Sequence, residues 1–137
     1  MSIPTEHRVP PLLVTAAVII DEGKVLITLR PKHKPQGGLW EFPGGKLNPG
    51  ESPPSALRRE LVEELGIKIN VGNIIDALYY RYAWGPVLIL AYRCSINEGT
   101  PRNIEVDEHR WVPFSELNQY ELLPADQPLI TKLQNFA

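Results

Sequence analysis

The stretch that decides the fold is "GKLNPGESPPSALRRELVEELGI" (residues 45–67), a glycine-rich loop that runs into the clearest helix of the chain. Ser52 can cap the N-terminus of this helix, and Pro53 follows in the first turn, where proline is tolerated. Gly66 can end the helix in the left-handed conformation. Leucine recurs at every fourth position of this helix, and these residues are predicted to form its buried side: Leu57, Leu61 and Leu65.

Elements on both sides of this helix follow from hydrophobic patterns and turn residues. The N-terminal residues 1–11 are predicted to be an irregular arm. Strands are predicted at 12–20, 24–30, 39–42, 67–83, 86–96 and 109–114. A loop is predicted at 43–51, a short helix from Ser115, and a C-terminal helix over 125–137 with an apolar side of Leu129, Ile130 and Leu133. This order predicts an α/β fold in which a mixed sheet is sandwiched between helices.

Three glutamates of the central helix, Glu60, Glu63 and Glu64, lie close to its C-terminal end. Their offsets of three and four residues crowd the carboxylates on one side, where each like-charge pair costs roughly 0.2–0.5 kcal/mol. The partial negative charge of the helix C-terminus adds to this cost. Bound Mg²⁺ or Mn²⁺, which prefers such oxygen ligands, would offset both effects. A solvated acidic face, partly neutralised by Arg58 and Arg59, is the alternative interpretation.

The whole stretch resembles the signature of the Nudix hydrolases. Nine specified positions match without a departure: Gly45, Glu51, Arg59, Glu60, Leu61, Glu63, Glu64, Gly66 and Ile67. The resemblance implies a single Nudix domain over residues 1–137 with the Nudix fold. It also implies hydrolysis of a nucleoside diphosphate linked to another moiety, with one or more divalent ions.

The resemblance further implies roles for individual residues. Glu60 and Glu64 match the principal metal ligands, with Glu63 as a ligand or proton acceptor. The backbone carbonyl of Gly44 is expected to join the coordination. Two further residues are expected to pair with and orient these carboxylates: Arg59 and Glu51.

One more acid is expected outside the signature, because Nudix enzymes often place a glutamate six residues before a late tryptophan. The segment "EVDEHRWV" (105–112) supplies Glu105 at this distance from Trp111. Glu105 is therefore the expected ligand or general base, and Glu108 is the second candidate. An exposed charged loop is the alternative for both.

Two stretches around the signature resemble the MutT-like group of nucleoside triphosphate pyrophosphohydrolases. In "VLITLRP" (25–31), Arg30 matches an arginine that contacts substrate phosphates. In "LWEFPGGK" (39–46), Phe42 stands where the group has it. Three nearby residues either assist Arg30 or form a solvated basic loop: Lys32, His33 and Lys34.

A third stretch, "LLPADQPLI" (122–130), places Asp126 where MutT-like proteins have an Asn or Asp facing the base. An ionised Asp only accepts hydrogen bonds, which suits guanine N1–H and N2–H₂ or the cytosine amino group. MutT enzymes that act on oxidised dGTP typically have Asn, so this departure argues against selectivity for 8-oxoguanine. Capping of the C-terminal helix is the alternative role of Asp126. Four aromatic residues either stack on a base or serve the core or an interface: Tyr79, Tyr80, Tyr82 and Trp84.

Composition limits the remaining functions. The 137 residues carry a net charge of −2, so there is no global basic field for long nucleic acid. The single cysteine, Cys94, excludes an intrachain disulfide and predicts a buried thiol in a reducing compartment. The apolar run at 12–20 is too short to span a bilayer. We therefore expect a cytoplasmic protein without a membrane partner, and its exposed aromatic strands would permit a homodimer.

The leading functional hypothesis is a Mg²⁺- or Mn²⁺-dependent enzyme that cleaves (d)NTPs, oxidised dGTP included, to monophosphate and pyrophosphate. The first alternative substrate is a 5′-triphosphate RNA end, which would need a basic groove built from Arg81, Arg93, Arg102 and Arg110. Nucleoside diphosphate sugars and ADP-ribose are a third possibility, but the sequence contains no clear additional motif for binding them. A non-catalytic nucleotide-binding module is disfavoured because every signature acid is present.

Overall fold

The computed structural model describes residues 10–135, so most of the predicted N-terminal arm and the last two residues of the predicted C-terminal helix lie outside it. The described residues form seven strands: β1 (Leu12–Asp21), β2 (Lys24–Leu29), β3 (Trp40–Glu41), β4 (Gly44–Lys46), β5 (Lys68–Tyr82), β6 (Gly85–Glu98) and β7 (Glu108–Pro113). Two α-helices accompany them: α1 (Pro53–Leu65) and α2 (Gln127–Gln134). Two 3₁₀ turns precede α2: Phe114–Gln119 and Pro124–Asp126. None of the described helices is long and apolar enough to cross a membrane.

The sheet is mixed, as the element order predicted. β1 and β6 run parallel along Leu12–Ile19 and Val87–Cys94, whereas the other named pairs are antiparallel. The order is β3-β2-β1-β6-β5, with β4 also paired to β1 and β7 to β2. The longest pairing joins β5 and β6 in a hairpin whose turn contains Ala83 and Trp84.

Both faces of the sheet are covered, which confirms the predicted sandwich. Successive residues of β1 point to opposite faces. One core cluster joins the leucine stripe of α1 to Ala17, Ile19 and Leu26. The other joins the apolar side of α2 to Ala16, Val18 and Val25. Cys94 is buried, and burial raises the pKa of its thiol to about 12, so it is the inert core thiol that was expected.

The ends of α1 confirm the sequence prediction. The Ser55 amide donates to the Ser52 hydroxyl at 3.3 Å, and the Gly66 amide donates to the Val62 carbonyl at 3.0 Å. Gly66 adopts φ 67°, the left-handed conformation that glycine tolerates best. These caps fix the length of α1 and therefore the positions of its glutamates.

The largest differences from the predicted elements lie in the loop at 43–51 and in the C-terminal helix. The predicted loop 43–51 contains β4, because Gly44 approaches β1 so closely that an added Cβ would lie 2.0 Å from the Thr15 carbonyl oxygen. The predicted C-terminal helix is split into the 3₁₀ turn Pro124–Asp126 and α2, and Pro128 at the start of α2 is compatible with its first turn. β4 matters most, because it lies beside the acids of α1.

Candidate active site

The glycines of β4 bring two glutamates of α1 against the sheet. An added Cβ at Gly45 would lie 2.6 Å from the Glu60 carboxyl carbon, so a side chain there would displace the carboxylate. The Gly44 amide donates to Oε1 of Glu64 at 3.2 Å. The loop and the helix of the signature therefore form one site, with the two predicted principal ligands facing the same strand.

Arg59 connects the acids to one another. Its Nε donates to Oε2 of Glu51 at 2.7 Å, and Nη2 donates to Oε1 at 3.0 Å. Nη1 donates to Glu60 at 3.1 Å and to Glu63 at 3.1 Å. A further bond of 3.0 Å joins Nη2 to the Lys46 carbonyl at the end of β4. Arg59 thus holds the carboxylates in a fixed arrangement, which is the geometry expected of an orienting residue.

Glu60 and Glu64 form what we call the acidic end of the site, where burial disfavours the ionised carboxylates. Glu64 is 9% exposed, and burial, followed by the charges of Glu41 and Glu60, raises its pKa to about 9. Burial also raises the pKa of Glu60, to which the charges of Glu63 and Glu105 contribute, against the opposing effect of Arg59. A cation at this end would stabilise the ionised carboxylates, so the donor set fits a hard divalent ion.

Glu105 and Glu108, the two candidates for the additional acid, occupy different surroundings. Glu105 lies in the loop before β7, and its backbone amide donates to the Glu64 carbonyl at 3.2 Å. Its charge acts on Glu60. Glu108 instead accepts a 3.0 Å hydrogen bond from Nε of Arg110. The structure therefore brings Glu105, rather than Glu108, to the signature acids.

The predicted ligand carboxylates lie near one another but do not converge on a single point. Across residues 10–135, no three His, Cys, Asp or Glu side chains form a group that could hold a metal ion as they stand. Glu63 is exposed and turned to Arg59, and Glu105 is exposed on its loop. Glu60 and Glu64 are in contrast held by Arg59 and Gly44.

A cavity of about 140 Å³ extends from the signature loop to the tip of the β5–β6 hairpin. The three residues predicted to bind the substrate line it, together with the predicted metal ligand Gly44: Arg30, Phe42 and Asp126. It therefore runs from β4, the strand that Glu60 and Glu64 face, to the segment that was expected to face the base.

Asp126 lies buried at the far end of this cavity, at 4% exposure. Burial and then the charge of Glu41 raise its pKa to about 8, against a backbone hydrogen bond at Phe42 that lowers it. The ionised form assumed from the sequence is therefore disfavoured at neutral pH. The capping alternative is wrong for the side chain, which makes no capping hydrogen bond to α2.

Glu41 is the residue that sequence reasoning missed. It lines the cavity and accepts a 3.3 Å hydrogen bond from Nη1 of Arg30. Burial raises its pKa, and its own charge acts on both Glu64 and Asp126. Glu41 thus lies between the acidic end and the base end. Its position in the quoted "LWEFPGGK" segment was the available signal.

Two of the four singled-out aromatic residues reach the cavity. The rings of Tyr82 and Trp84 are stacked, with centroids 5.6 Å apart and an interplanar angle of 9°. Both line the cavity, and Trp84 is 62% exposed at its mouth. Tyr80 packs against the core and Tyr79 is exposed. Tyr82 and Trp84 therefore present a flat apolar surface beside Asp126.

Known proteins resemble this chain along most of its length. The NUDIX domain family model matches residues 10–133. The chain is 43% identical over 121 residues to a CTP pyrophosphohydrolase of Escherichia coli, a match that covers 85% of this chain and 87% of that protein. It is 31% identical over 124 residues to an 8-oxo-dGTP diphosphatase of the same species, covering 90% and 96%.

Solved structures share the fold. The solution structure of the E. coli ORF135 protein matches with a TM-score of 0.75 at 38% identity, covering 91% of this chain and 89% of that one. The crystal structure of a MutT protein from Methanosarcina mazei matches with a TM-score of 0.82, covering 93% and 95%. At 24% identity, the second likeness concerns the fold alone.

Proposed function

The chain belongs to the Nudix hydrolases, and we propose that it is a divalent-metal-dependent pyrophosphohydrolase that cleaves nucleoside triphosphates, with a preference for cytosine nucleotides, to monophosphate and pyrophosphate. The observation that carries this proposal is the continuous cavity between the signature loop and Asp126. One end of the cavity reaches β4, the strand that Glu60 and Glu64 face, and the other holds the buried carboxyl of Asp126 beside a stacked aromatic pair.

The raised pKa of Asp126 supports cytosine over guanine. A neutral carboxyl group both donates and accepts a hydrogen bond, whereas the ionised group only accepts. The Watson–Crick edge of cytosine presents an N4 amino donor beside the N3 acceptor, which a neutral carboxyl matches. Two adjacent donors, guanine N1–H and N2–H₂, require the ionised form. The 43% identical relative is named for CTP, which supports the same preference.

The acidic end is proposed to hold Mg²⁺ or Mn²⁺. Five groups would supply the ligands: the Gly44 carbonyl and the carboxylates of Glu60, Glu63, Glu64 and Glu105. The ions, when bound, neutralise phosphate charge and activate a water molecule that attacks phosphorus. Arg59 and Glu51 hold the ligand carboxylates in place. Arg30 contacts substrate phosphates, and Glu63 or Glu105 accepts the proton from the attacking water.

The experiment is a comparison of kcat/KM with Mg²⁺ for CTP, dCTP, dATP, dGTP and 8-oxo-dGTP. We expect the cytosine nucleotides to be favoured by at least about tenfold, a difference of about 1.4 kcal/mol. Equal values for all five would refute the base preference and leave the phosphate chemistry standing. Adenine presents the same donor and acceptor pattern through N6–H and N1. The rate with dATP therefore tests whether the aromatic pair excludes a purine of the same pattern.

Two variants of Asp126 sharpen this test. Asp126→Asn keeps one donor and one acceptor, so we expect it to retain most of the CTP activity. Asp126→Ala removes both hydrogen bonds and is expected to lower kcat/KM for CTP by about tenfold or more. A large loss in both variants would indicate that the ionised carboxylate binds the base.

A 5′-triphosphorylated RNA end remains the competing substrate to include beside these nucleotides. In the described part of the chain, Arg81 bonds to Tyr79, Arg110 pairs with Glu108, and neither lines the cavity. Faster turnover of the RNA than of any free nucleotide would overturn the proposed substrate class.

A further inference from the structure

A second cavity lies between the loop after β2 and the loop before β7, and it shares none of the described lining residues with the cavity that contains Asp126. It measures about 450 Å³. His33 and Lys34, from the loop after β2, line one wall. Glu105 and Asp107, from the loop before β7, line the other. We call this space the interloop cleft.

Both walls are fixed to elements of the active site. The amides of Ile104 and Glu105 donate to the Glu64 carbonyl at 3.1 and 3.2 Å, which ties the acidic wall to the end of α1. The Asp107 amide donates to the Leu29 carbonyl at 3.0 Å, next to Arg30. The basic wall is held in turn by Nε of Arg30, which donates to the Pro35 carbonyl at 2.6 Å. Hydrogen bonds therefore hold both walls of the cleft next to the C-terminal end of α1.

The two walls carry opposite charge beside the end of α1. Lys34 is partly buried on one wall. Glu105 lies on the opposite wall, where its backbone amide donates a hydrogen bond to the Glu64 carbonyl. A cleft with the ammonium group of Lys34 on one wall and carboxylates on the other suits a polyphosphate that carries divalent ions. The ammonium group would bind phosphate oxygens directly, and the carboxylates would bind them through the ions.

We propose that the interloop cleft holds the outer phosphates of the substrate, and the pyrophosphate after cleavage, with Lys34 as the residue that binds them. This inference rests on the proposed triphosphate hydrolysis. Cleavage would then occur between the two cavities, with the nucleoside on the Asp126 side and the pyrophosphate on the Lys34 side. Lys34 belongs to the basic loop after β2. The sequence left two roles open for this loop: assisting Arg30 in phosphate binding, or forming a solvated surface.

The test measures binding without turnover, by calorimetry of the intact protein with pyrophosphate and Mg²⁺. We expect Lys34→Gln to weaken pyrophosphate binding by about tenfold, the usual effect of losing a charged hydrogen bond. Lys32→Gln is the matched control, because Lys32 is exposed and does not line the cleft. CMP should bind equally to both variants and to the parent protein.

The outcomes separate this inference from the proposed function. Equal pyrophosphate binding by Lys34→Gln and Lys32→Gln, or no binding by the parent protein, overturns the interloop cleft as the site, whatever the enzyme hydrolyses. A selective loss in Lys34→Gln supports it even if the nucleotide panel identifies a different substrate. Weaker binding of CMP as well would contradict a role confined to the outer phosphates.

Discussion

Glu41 and Asp126 lie 85 positions apart in the chain, yet they line one cavity, and the charge of Glu41 helps to keep Asp126 protonated. With a pKa of about 8, Asp126 is mostly protonated at neutral pH. As pH rises through this value, Asp126 loses the proton that it would donate to the base. Activity on cytosine nucleotides should therefore decline above about pH 8.

The first prediction concerns this alkaline decline. For the parent protein, we expect kcat/KM for CTP to fall by about tenfold per pH unit above the pKa of Asp126. Glu41→Gln removes a nearby negative charge, so the pKa of Asp126 falls and the decline moves to lower pH. Asp126→Asn is the control, because it has no proton to lose there. A decline that persists unchanged in Asp126→Asn would assign it to another group.

The same group links stability to pH. The folded pKa of Asp126 is raised above its ordinary value of 3.8, so its contribution is fully present at low pH and is lost as pH rises towards about 8. We expect the difference in free energy of unfolding between Asp126→Asn and the parent protein to shift in favour of the variant between pH 5 and pH 8. Urea unfolding at several pH values measures it, and a constant difference would refute the raised pKa.

Glu64→Gln tests the acidic end. The variant keeps the size of the side chain and one acceptor for the Gly44 amide, so the fold should be retained. Loss of the carboxylate is expected to lower kcat by at least about a thousandfold. Glu116→Gln, on the exposed surface of a 3₁₀ turn, is the matched control. Circular dichroism checks the fold, and near-parental activity in Glu64→Gln would exclude the proposed metal site.

Arg59→Lys tests the orienting role. A lysine keeps the charge but cannot make the paired hydrogen bonds to Glu51 while reaching Glu60 and Glu63. We expect kcat to fall by about 10–100-fold with a smaller change in KM, since Arg59 touches the ligands rather than the nucleotide. Arg58→Lys, one position earlier and exposed, should behave like the parent protein. A rise in KM alone would instead indicate a phosphate-binding arginine.

Trp84→Ala tests base stacking. The ring of Trp84 is largely exposed, so its removal should change stability little. Loss of a stacking surface costs about 1–3 kcal/mol, which corresponds to a KM increase of about 5- to 150-fold. Tyr79→Ala removes an equally exposed aromatic ring outside the cavity and serves as the control. Equal effects of the two variants would argue against stacking at Trp84.

Local sequence determined the parts of the fold that local physics controls. The caps Ser52 and Gly66 and the four-residue leucine repeat define α1, because they act within one or two turns of the chain. The shared face of the signature acids could also be predicted, because spacing along a helix fixes which side chains lie on the same side. The family resemblance pointed to Asp126 as a base-facing residue, although its buried setting was not evident from the sequence.

Tertiary contacts decided what the sequence did not reveal. β3 is only two residues long, so no periodicity marks Glu41 as buried. β4 is rich in glycine and exists because β1 lies beside it. The protonation of Asp126 depends on burial and on Glu41, which a linear pattern does not record. These features arise only when distant segments pack together.

The β5–β6 hairpin carries Tyr82 and Trp84 near its turn, whereas the carboxylates belong to α1 and the loop before β7. The proposed function thus assigns base selection and bond cleavage to separate pieces of the chain. We expect substitutions at the hairpin tip to alter which nucleotide fits without moving the groups proposed to act on its phosphates. Such a division allows a lineage to acquire a new substrate through a few changes at its surface, while the reaction itself is inherited intact.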